Sequence, residues 1–333
     1  MIQNMKKILI LLSGILLMAS CDHDVVYEVD YNVTLDPANT YYAGEPVKFN
    51  LAGEVDNLLF YSGETGSQFV YRNRFTVPME EVINASLTLE VRCQYGTDRD
   101  CLRVYASNEF DGLSGNDGMA DRAKIKSIVD SGMEGWTDLG YVDLNENNSK
   151  WTTHEISLKD YMDNMTLAFH WCPPTKERTQ RTIWIRGFIN VELDGVEPIS
   201  QKLRDMPCTF VMMDENVDPY HYDKGNGSMR IPVWDPNKPE PEQHIVMQGA
   251  SANALSYVCD GWVFTKPQPL NNVANDKGIV VKNLQNYMHE YVYTWDKPGT
   301  YEVVFVGRNE NYMSASEQIH KYTITILEKP SAE

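Results

Sequence analysis

Residues 86–95 read Ser86-Leu87-Thr88-Leu89-Glu90-Val91-Arg92-Cys93-Gln94-Tyr95, a strict alternation of polar and apolar side chains. Successive side chains of an extended chain point to opposite faces, so Leu87, Leu89, Val91, Cys93 and Tyr95 share one buried face of a β-strand. The same period recurs at Val47-Lys48-Phe49-Asn50-Leu51 and at Lys321-Tyr322-Thr323-Ile324-Thr325-Ile326. Clusters of Gly, Asn, Asp and Pro separate these runs, as turns between antiparallel strands require. The best helical pattern is a short stretch at Arg122–Asp130, with Ala123, Ile125, Ile128 and Val129. The pattern predicts an all-β sandwich.

Three segments are expected after the leader: 22–79, 80–197 and 198–333. The Pro-rich run from Pro232 to Pro241 reads as a rigid surface connector. The first segment is short for a sandwich of its own. The reading adopted is separate N- and C-terminal modules. The alternative is that 22–79 completes its sheet with strands from beyond 198, which makes the middle segment an insertion.

The N-terminus carries Lys6 and Lys7, then an apolar run from Ile8 to Met18, then Ala19-Ser20-Cys21-Asp22-His23-Asp24. The apolar run is shorter than the roughly 20 residues of a membrane span. Small residues before a cysteine resemble the lipobox of bacterial lipoproteins, which implies cleavage of residues 1–20 and a lipid on Cys21. The acids after Cys21 resemble the signal that exports lipoproteins of Bacteroidota to the outer face of the outer membrane. Acyl chains anchor through buried methylenes at about 0.8 kcal/mol each. Losing Lys6 and Lys7 takes the net charge from −18 to −20. A surface this acidic repels nucleic acid and anionic lipid. It also argues against a sulfated glycan ligand, unless a local basic patch exists.

Of the six cysteines, Cys21 is assigned to the lipid, which leaves an odd number. Cys93 and Cys101 flank Gly96-Thr97-Asp98. If Tyr95 pairs with Arg99, they face each other across a hairpin and a disulfide is geometrically allowed; otherwise both are buried thiols. No GxSxG, HExxH or phosphate-binding loop is present; His154-Glu155 and His289-Glu290 lack the second histidine of a metalloprotease helix. Acids are plentiful, but nothing marks a glycosidase pair. The loop Phe110–Gly118 offers Asp111 and Asp117 as candidate ligands for a structural calcium, without EF-hand spacing; a plain turn-rich loop is the other reading. No other cofactor is expected.

The run GEPVKFNLAGEVDNLLFYSGETGSQFVYRNR (44–74) resembles the opening of a family of Bacteroides surface lipoproteins catalogued as domain of unknown function 5017. Its early strands also resemble a polycystic-kidney-disease-type immunoglobulin-like module. ASLTLEVRCQYGTDRDCLRVYASNEFDG (85–112), Trp151–Leu158, TLAFHW (166–171) and TIWIRGFINVEL (182–193) resemble a jelly roll of the galactose-binding-like or surface-anchor type. GWVFTKPQPLN (261–271) and PGTYEVVFVGRNENY (298–312) resemble the same family's C-terminal immunoglobulin-like part. The resemblance implies a jelly-roll β-sandwich flanked by immunoglobulin-like segments. Where such jelly rolls often end on an Asp-Asn pair, this chain has Arg186-Gly187, so no role of that pair carries over. Members resemble accessory lipoproteins of glycan-uptake systems. That implies a polysaccharide or glycan as ligand, and a TonB-dependent importer with its lipoprotein lid as partners.

Parity selects the candidate binding residues. In 182–193 the apolar Ile183, Ile185, Ile189 and Val191 point inward, so Trp184, Arg186 and Phe188 point outward. By the same count His170 and Trp151 point outward from their strands. Trp151, His170, Trp184 and Arg186 are therefore expected on one outer face, where sugar C–H faces stack on indoles and guanidinium takes hydroxyls. The competing reading is that a neighbouring module packs on that face. Tyr220-His221-Tyr222, Trp234 and Trp262 read as structural anchors. The function expected is non-catalytic glycan binding on the cell surface. The alternatives are an adhesion or structural protein without a small ligand and, third, a glycoside hydrolase. Cys21→Ala is expected to release the protein from membranes or leave it unprocessed on fractionation. Proteinase added to intact cells is expected to digest the wild-type protein.

Overall fold

The alternation at 86–94 is realised within one strand, Val82–Gln94, in which Leu87, Leu89, Val91 and Cys93 are buried and Thr88, Glu90 and Arg92 half-buried; Tyr95, expected on the buried face, falls past the strand's end and is exposed. The computed structural model describes residues 25–35, 40–144, 150–215, 217–220, 232–235, 237–254 and 257–330. Cys21 lies outside them. The chain divides into two units. One joins the described residues up to Arg74 with those from Ala274 onward; the other is Phe75–Val273.

Among its described residues the first unit is built of strands, with one 3₁₀ turn at Phe69–Tyr71. Its strands are β1 (Asp30–Thr34), β2 (Tyr41–Tyr42), β3 (Pro46–Glu54) and β4 (Asn57–Tyr61), then β16 (Ile279–Lys282), β17 (Glu290–Thr294), β18 (Gly299–Glu310) and β19 (Ala315–Leu327). One sheet runs β1-β3-β17 and the other β16-β4-β18-β19-β2. Val47, Phe49 and Leu51 turn inward as their alternation predicts. They meet Phe60, Trp295 and Phe305, and Phe305 stands with its ring 5.0 Å from those of both Phe49 and Phe60. β3 pairs along its outer edge with β17, Phe49 opposite Tyr291, and β4 pairs with β16 and β18. The N-terminal strands therefore take their partners from beyond 274, and 22–79 and 198–333 are not two separate modules.

The second unit holds β5 (Val82–Gln94), β6 (Leu102–Ser107), β7 (Thr137–Tyr141), β8 (Thr152–Ser157), β9 (Thr166–Trp171), β10 (Thr182–Leu193), β11 (Ile199–Lys202), β12 (Cys208–Met212), β13 (Val233–Trp234), β14 (Ile245–Met247) and β15 (Gly261–Thr265). One sheet runs β13-β14-β10-β5-β8, with β11 also on β10; the other runs β12-β15-β9-β6-β7. The chain crosses repeatedly from one sheet to the other, and the two sheets make a β-sandwich. The boundary expected at 197/198 does not hold. β11 continues the β10 sheet, and β12 to β15 complete both sheets, so the unit extends to Val273.

Two apolar layers result. Leu87, Leu89, Val91, Ile183 and Ile185 meet Val104, Leu167, Phe169, Trp171 and Val263 between the sheets. Outside the β9/β15 sheet, Tyr105, Trp262 and Phe264 are covered by Phe110, Trp136 and Ile125 of α1 (Gly118–Asp130). The crossing also decides the cysteines. β5 pairs with β10 and β8, and β6 with β7 and β9, so no hairpin joins them and Tyr95 does not pair with Arg99. Tyr95 and Gly96 turn the chain through positive φ (59° and 56°) toward the other sheet. Cys93 and Cys101 are both buried and no disulfide joins them, and Arg181 Nη1 donates to Cys93 Sγ at 2.7 Å.

In the first unit Gly307 of β18 lets Tyr31 lie flat on the backbone and donate from its hydroxyl to Phe305 O at 2.8 Å. A Cβ at 307 would stand 2.3 Å from Tyr31 Cε1. Gly307→Ala is expected to cost about 1–3 kcal/mol of stability, the usual cost of overpacking, read as a lower urea midpoint.

Candidate functional site

The site grows out of strand register. β10 lies antiparallel to β5 with Trp184 opposite Arg92 and Arg186 opposite Glu90. On the other side of β5, Val91 faces Thr152 of β8, which brings Trp151 alongside Arg92. The outward side chains then interleave. The Arg92 guanidinium carbon sits 4.3 Å from the Trp184 ring centre and 5.4 Å from that of Trp151. The Arg186 carbon sits 4.4 Å over the same Trp151 ring, and Arg186 Nε donates to Glu90 Oε2 at 2.6 Å. Cation–π contacts of this kind contribute about 0.5–1 kcal/mol each at exposed sites.

The Pro-rich connector and the 3₁₀ turn Leu203–Asp205 raise a wall beside this ladder. Trp234 of β13 stands edge-on to Phe210 at 5.8 Å, and the Arg204 guanidinium carbon lies 4.8 Å from its ring. His244, edge-on to Trp151 at 5.7 Å, approaches Asp235 to 3.0 Å. Together they enclose an open cavity of about 560 Å³, also lined by Phe188, Lys202, Lys238 and Gln243. That falls in the range of small-molecule sites, and its make-up, aromatic walls with a few convergent polar heads, suits one. Trp151 and Arg186 are on its lining; Trp184 stands behind Arg92. Trp234 is a wall of the cavity rather than only an anchor. His221 and Tyr222 lie outside the described residues.

His170 does not join them. It points outward, but from β9, which belongs to the other sheet, so the whole inter-sheet core separates it from Trp184. Its ring stacks on Trp262 at 4.0 Å and 9°, and Nε2 contacts Asp260 Oδ1 at 2.9 Å. Cys172 completes a trio with His170 and Asp260 whose ligand atoms lie within 4.8 Å of one another. Imidazole, thiolate and carboxylate are zinc-type ligands. Burial first, then the Asp260 charge, pushes the Cys172 thiol up to about 11, so it holds its proton near neutrality unless a metal displaces it.

The proposed calcium ligands are engaged elsewhere. Asp111 is ion-paired with Lys124, and Asp117 caps α1 by accepting from Ala120 N at 3.0 Å. A calcium here would have to displace both. The carboxylate that organises this loop is one the sequence reading passed over, Asp121. It accepts from Ser114 N at 2.8 Å, from Gly115 N at 2.9 Å and from the Tyr220 hydroxyl. Burial pushes the Asp121 carboxyl up, and those hydrogen bonds outweigh it, so it stays below the usual carboxylate range.

A larger cleft of about 700 Å³ opens in the first unit. Its charged lining is Glu28, Asp30, Glu54, Asp56 and Glu310 against Lys282, whose ammonium is already held by Val55 O. It lacks the interleaved cations and indoles of the smaller cavity. Among the described residues no helix is long and apolar enough to cross a membrane.

The family model described as Domain of unknown function (DUF5017) matches residues 20–197, more than half of the chain, and the chain belongs to that family. The match covers Arg92, Trp151, Trp184 and Arg186 and stops before the connector that brings Trp234 and His244. The comparisons with curated proteins and with solved structures return no match.

His244 makes the second unit sensitive to acid. Burial, the largest influence, lowers its pKa; Asp235 opposes this, and Arg92, Lys238 and Arg186 lower it further. Burial also lowers His154 against the pull of Asp143. As the pH falls through the ordinary imidazole range near about 6.5, the unfolded chain takes up more protons than the folded one. The stability due to neutral His244 and His154 is thus complete above that range and is lost as pH falls through it. The urea midpoint is expected to drop between about pH 7.5 and about pH 5. His244→Gln is expected to flatten that drop.

Proposed function

We propose that this member of the DUF5017 family is a non-catalytic lipoprotein, anchored through Cys21 on the outer face of an outer membrane, whose Phe75–Val273 unit binds a saccharide. It would serve as accessory to a TonB-dependent glycan importer and its lipoprotein lid. One observation carries the binding reading: the open cavity of about 560 Å³ that combines Trp151, Trp234 and Phe188 with guanidinium and ammonium heads. Pyranose rings present apolar C–H faces and rings of hydroxyls, and such a lining meets both. The leader, Cys21 and the acids that follow it support the location.

A second reading, an adhesion or structural surface protein without a small ligand, rests on the same ladder. Arg92 and Arg186 already lie on the indoles, so the ladder also stiffens the sheet. Affinity electrophoresis of the chain from Asp22 against a polysaccharide panel separates the two. Trp151→Ala is expected to weaken binding by at least about 2 kcal/mol, roughly thirtyfold, with only about 1–2 kcal/mol of folding stability lost. If no polysaccharide retards the wild-type protein, the adhesion reading replaces this one.

A further inference from the structure

The chain carries a net charge of −18, and −20 once the leader is removed with Lys6 and Lys7. Most of its surface should therefore repel anions. The cavity beside Trp151 is an exception. Arg92, Arg186, Lys202, Arg204 and Lys238 line it, against Glu90, Asp235 and Glu242.

What matters is which of these charges is already spent. Arg186 holds Glu90 at 2.6 Å, and Arg204 holds Glu240 at 3.0 Å. Asp235 lies 3.0 Å from His244, a neutral imidazole, so its charge and that of Glu242 still offset part of the cationic lining. Arg92, Lys202 and Lys238 have no carboxylate partner among the described residues. Arg92 lies against the indole faces of Trp184 and Trp151, and its Nε is buried without a hydrogen-bond partner. The cationic field reaches further into the wall: Arg92, Lys238 and Arg186 all act to keep His244 neutral. Like charges that line one cavity repel, and an anion seated among them relieves the repulsion.

We infer that the cavity takes a saccharide bearing a ring-borne oxyanion, a carboxylate or a sulfate, with the oxyanion between Arg92, Lys202 and Lys238 and a pyranose face against Trp151 or Trp234. The inference rests on the saccharide-binding reading and names its substrate class. It reverses the expectation from net charge, which averages over a surface that the site departs from. A planar guanidinium such as that of Arg92 matches a carboxylate through two parallel hydrogen bonds, and lysine supplies charge without that geometry.

The test is calorimetry and affinity electrophoresis of the full chain from Asp22 at low and raised salt. The probes are polygalacturonate, its methyl ester, dextran sulfate and dextran. The inference expects binding of polygalacturonate, of dextran sulfate or of both, at least tenfold tighter than the uncharged counterpart and weakened by salt. Which of the two binds separates carboxylate from sulfate. Lys202→Gln, at an exposed position, and Arg92→Gln should each lower that affinity at least tenfold, while Lys202→Arg should largely restore it. Melting curves confirm that the variants fold. Equal binding of the charged and uncharged polymers overturns the oxyanion and leaves the saccharide reading standing. Binding of no polymer overturns both. Polyanion binding that Arg92→Gln and Lys202→Gln leave unchanged overturns the assignment to this cavity.

Discussion

The register between β5 and β10 is the constraint on which the rest of the second unit depends. It runs from Thr182 opposite Gln94 to Val191 opposite Ala85 before a bulge near Leu193. Within it the buried residues of both strands fall on one face and Arg92, Trp184, Arg186 and Glu90 on the other. A slip of one residue would turn Leu87, Leu89 and Val91 out to water and bury the guanidinium groups. The apolar cost of that error holds the polar ladder in place. The core thus positions the site without touching a ligand, and the site inherits the rigidity of the sheet's long central strands.

The first unit depends on a different constraint. β3 and β4 alternate correctly but have no sheet of their own, and the strands that complete them lie more than two hundred residues away. Alternation reports which face of a strand is buried and says nothing of which strand lies beside it. For that reason the strands near 47–51, 86–95 and 321–326 were legible in the sequence and the unit boundary was not. The segment after 197 looked like a new module because β12 to β15 are short and separated by loops. Those strands complete both sheets of the second unit, and the first unit resumes only at Ala274.

The same distinction explains which site residues could be read. Parity correctly turned Trp151, Trp184 and Arg186 outward. Arg92, between Val91 and Cys93, carries the same outward parity. Parity also turned His170 outward, but two sheets have two outer faces, and the count within one strand does not say which. Cys93 and Cys101 failed for a related reason. A short Gly-containing link reads as a hairpin within one sheet, whereas here it carries the chain from one sheet to the other. Trp234, Lys238 and His244 reach the cavity through packing of the connector and the residues just after it, and Lys202 through the pairing of β11 with β10, none of which leaves a local pattern.

The two outer faces show why aromatic side chains alone do not mark a site. Tyr105, Trp262 and Phe264 on one sheet are as aromatic as Trp151, Trp184 and Phe188 on the other. The first group is sealed by α1, Phe110 and Trp136, so its apolar area is used in folding. The second meets charged heads and a loop wall that stands off far enough to leave a cavity. Sealing a face requires apolar partners, and the elements beside β8 and β10 present Lys202, Arg204, Lys238 and Gln243 instead. Groups that are costly to bury and well suited to meet a solvated polar ligand were placed where packing would otherwise have closed the sheet. In a protein this acidic, a low-dielectric wall lined with unpaired cations also concentrates the local field, so the cavity draws anions that the remaining surface turns away.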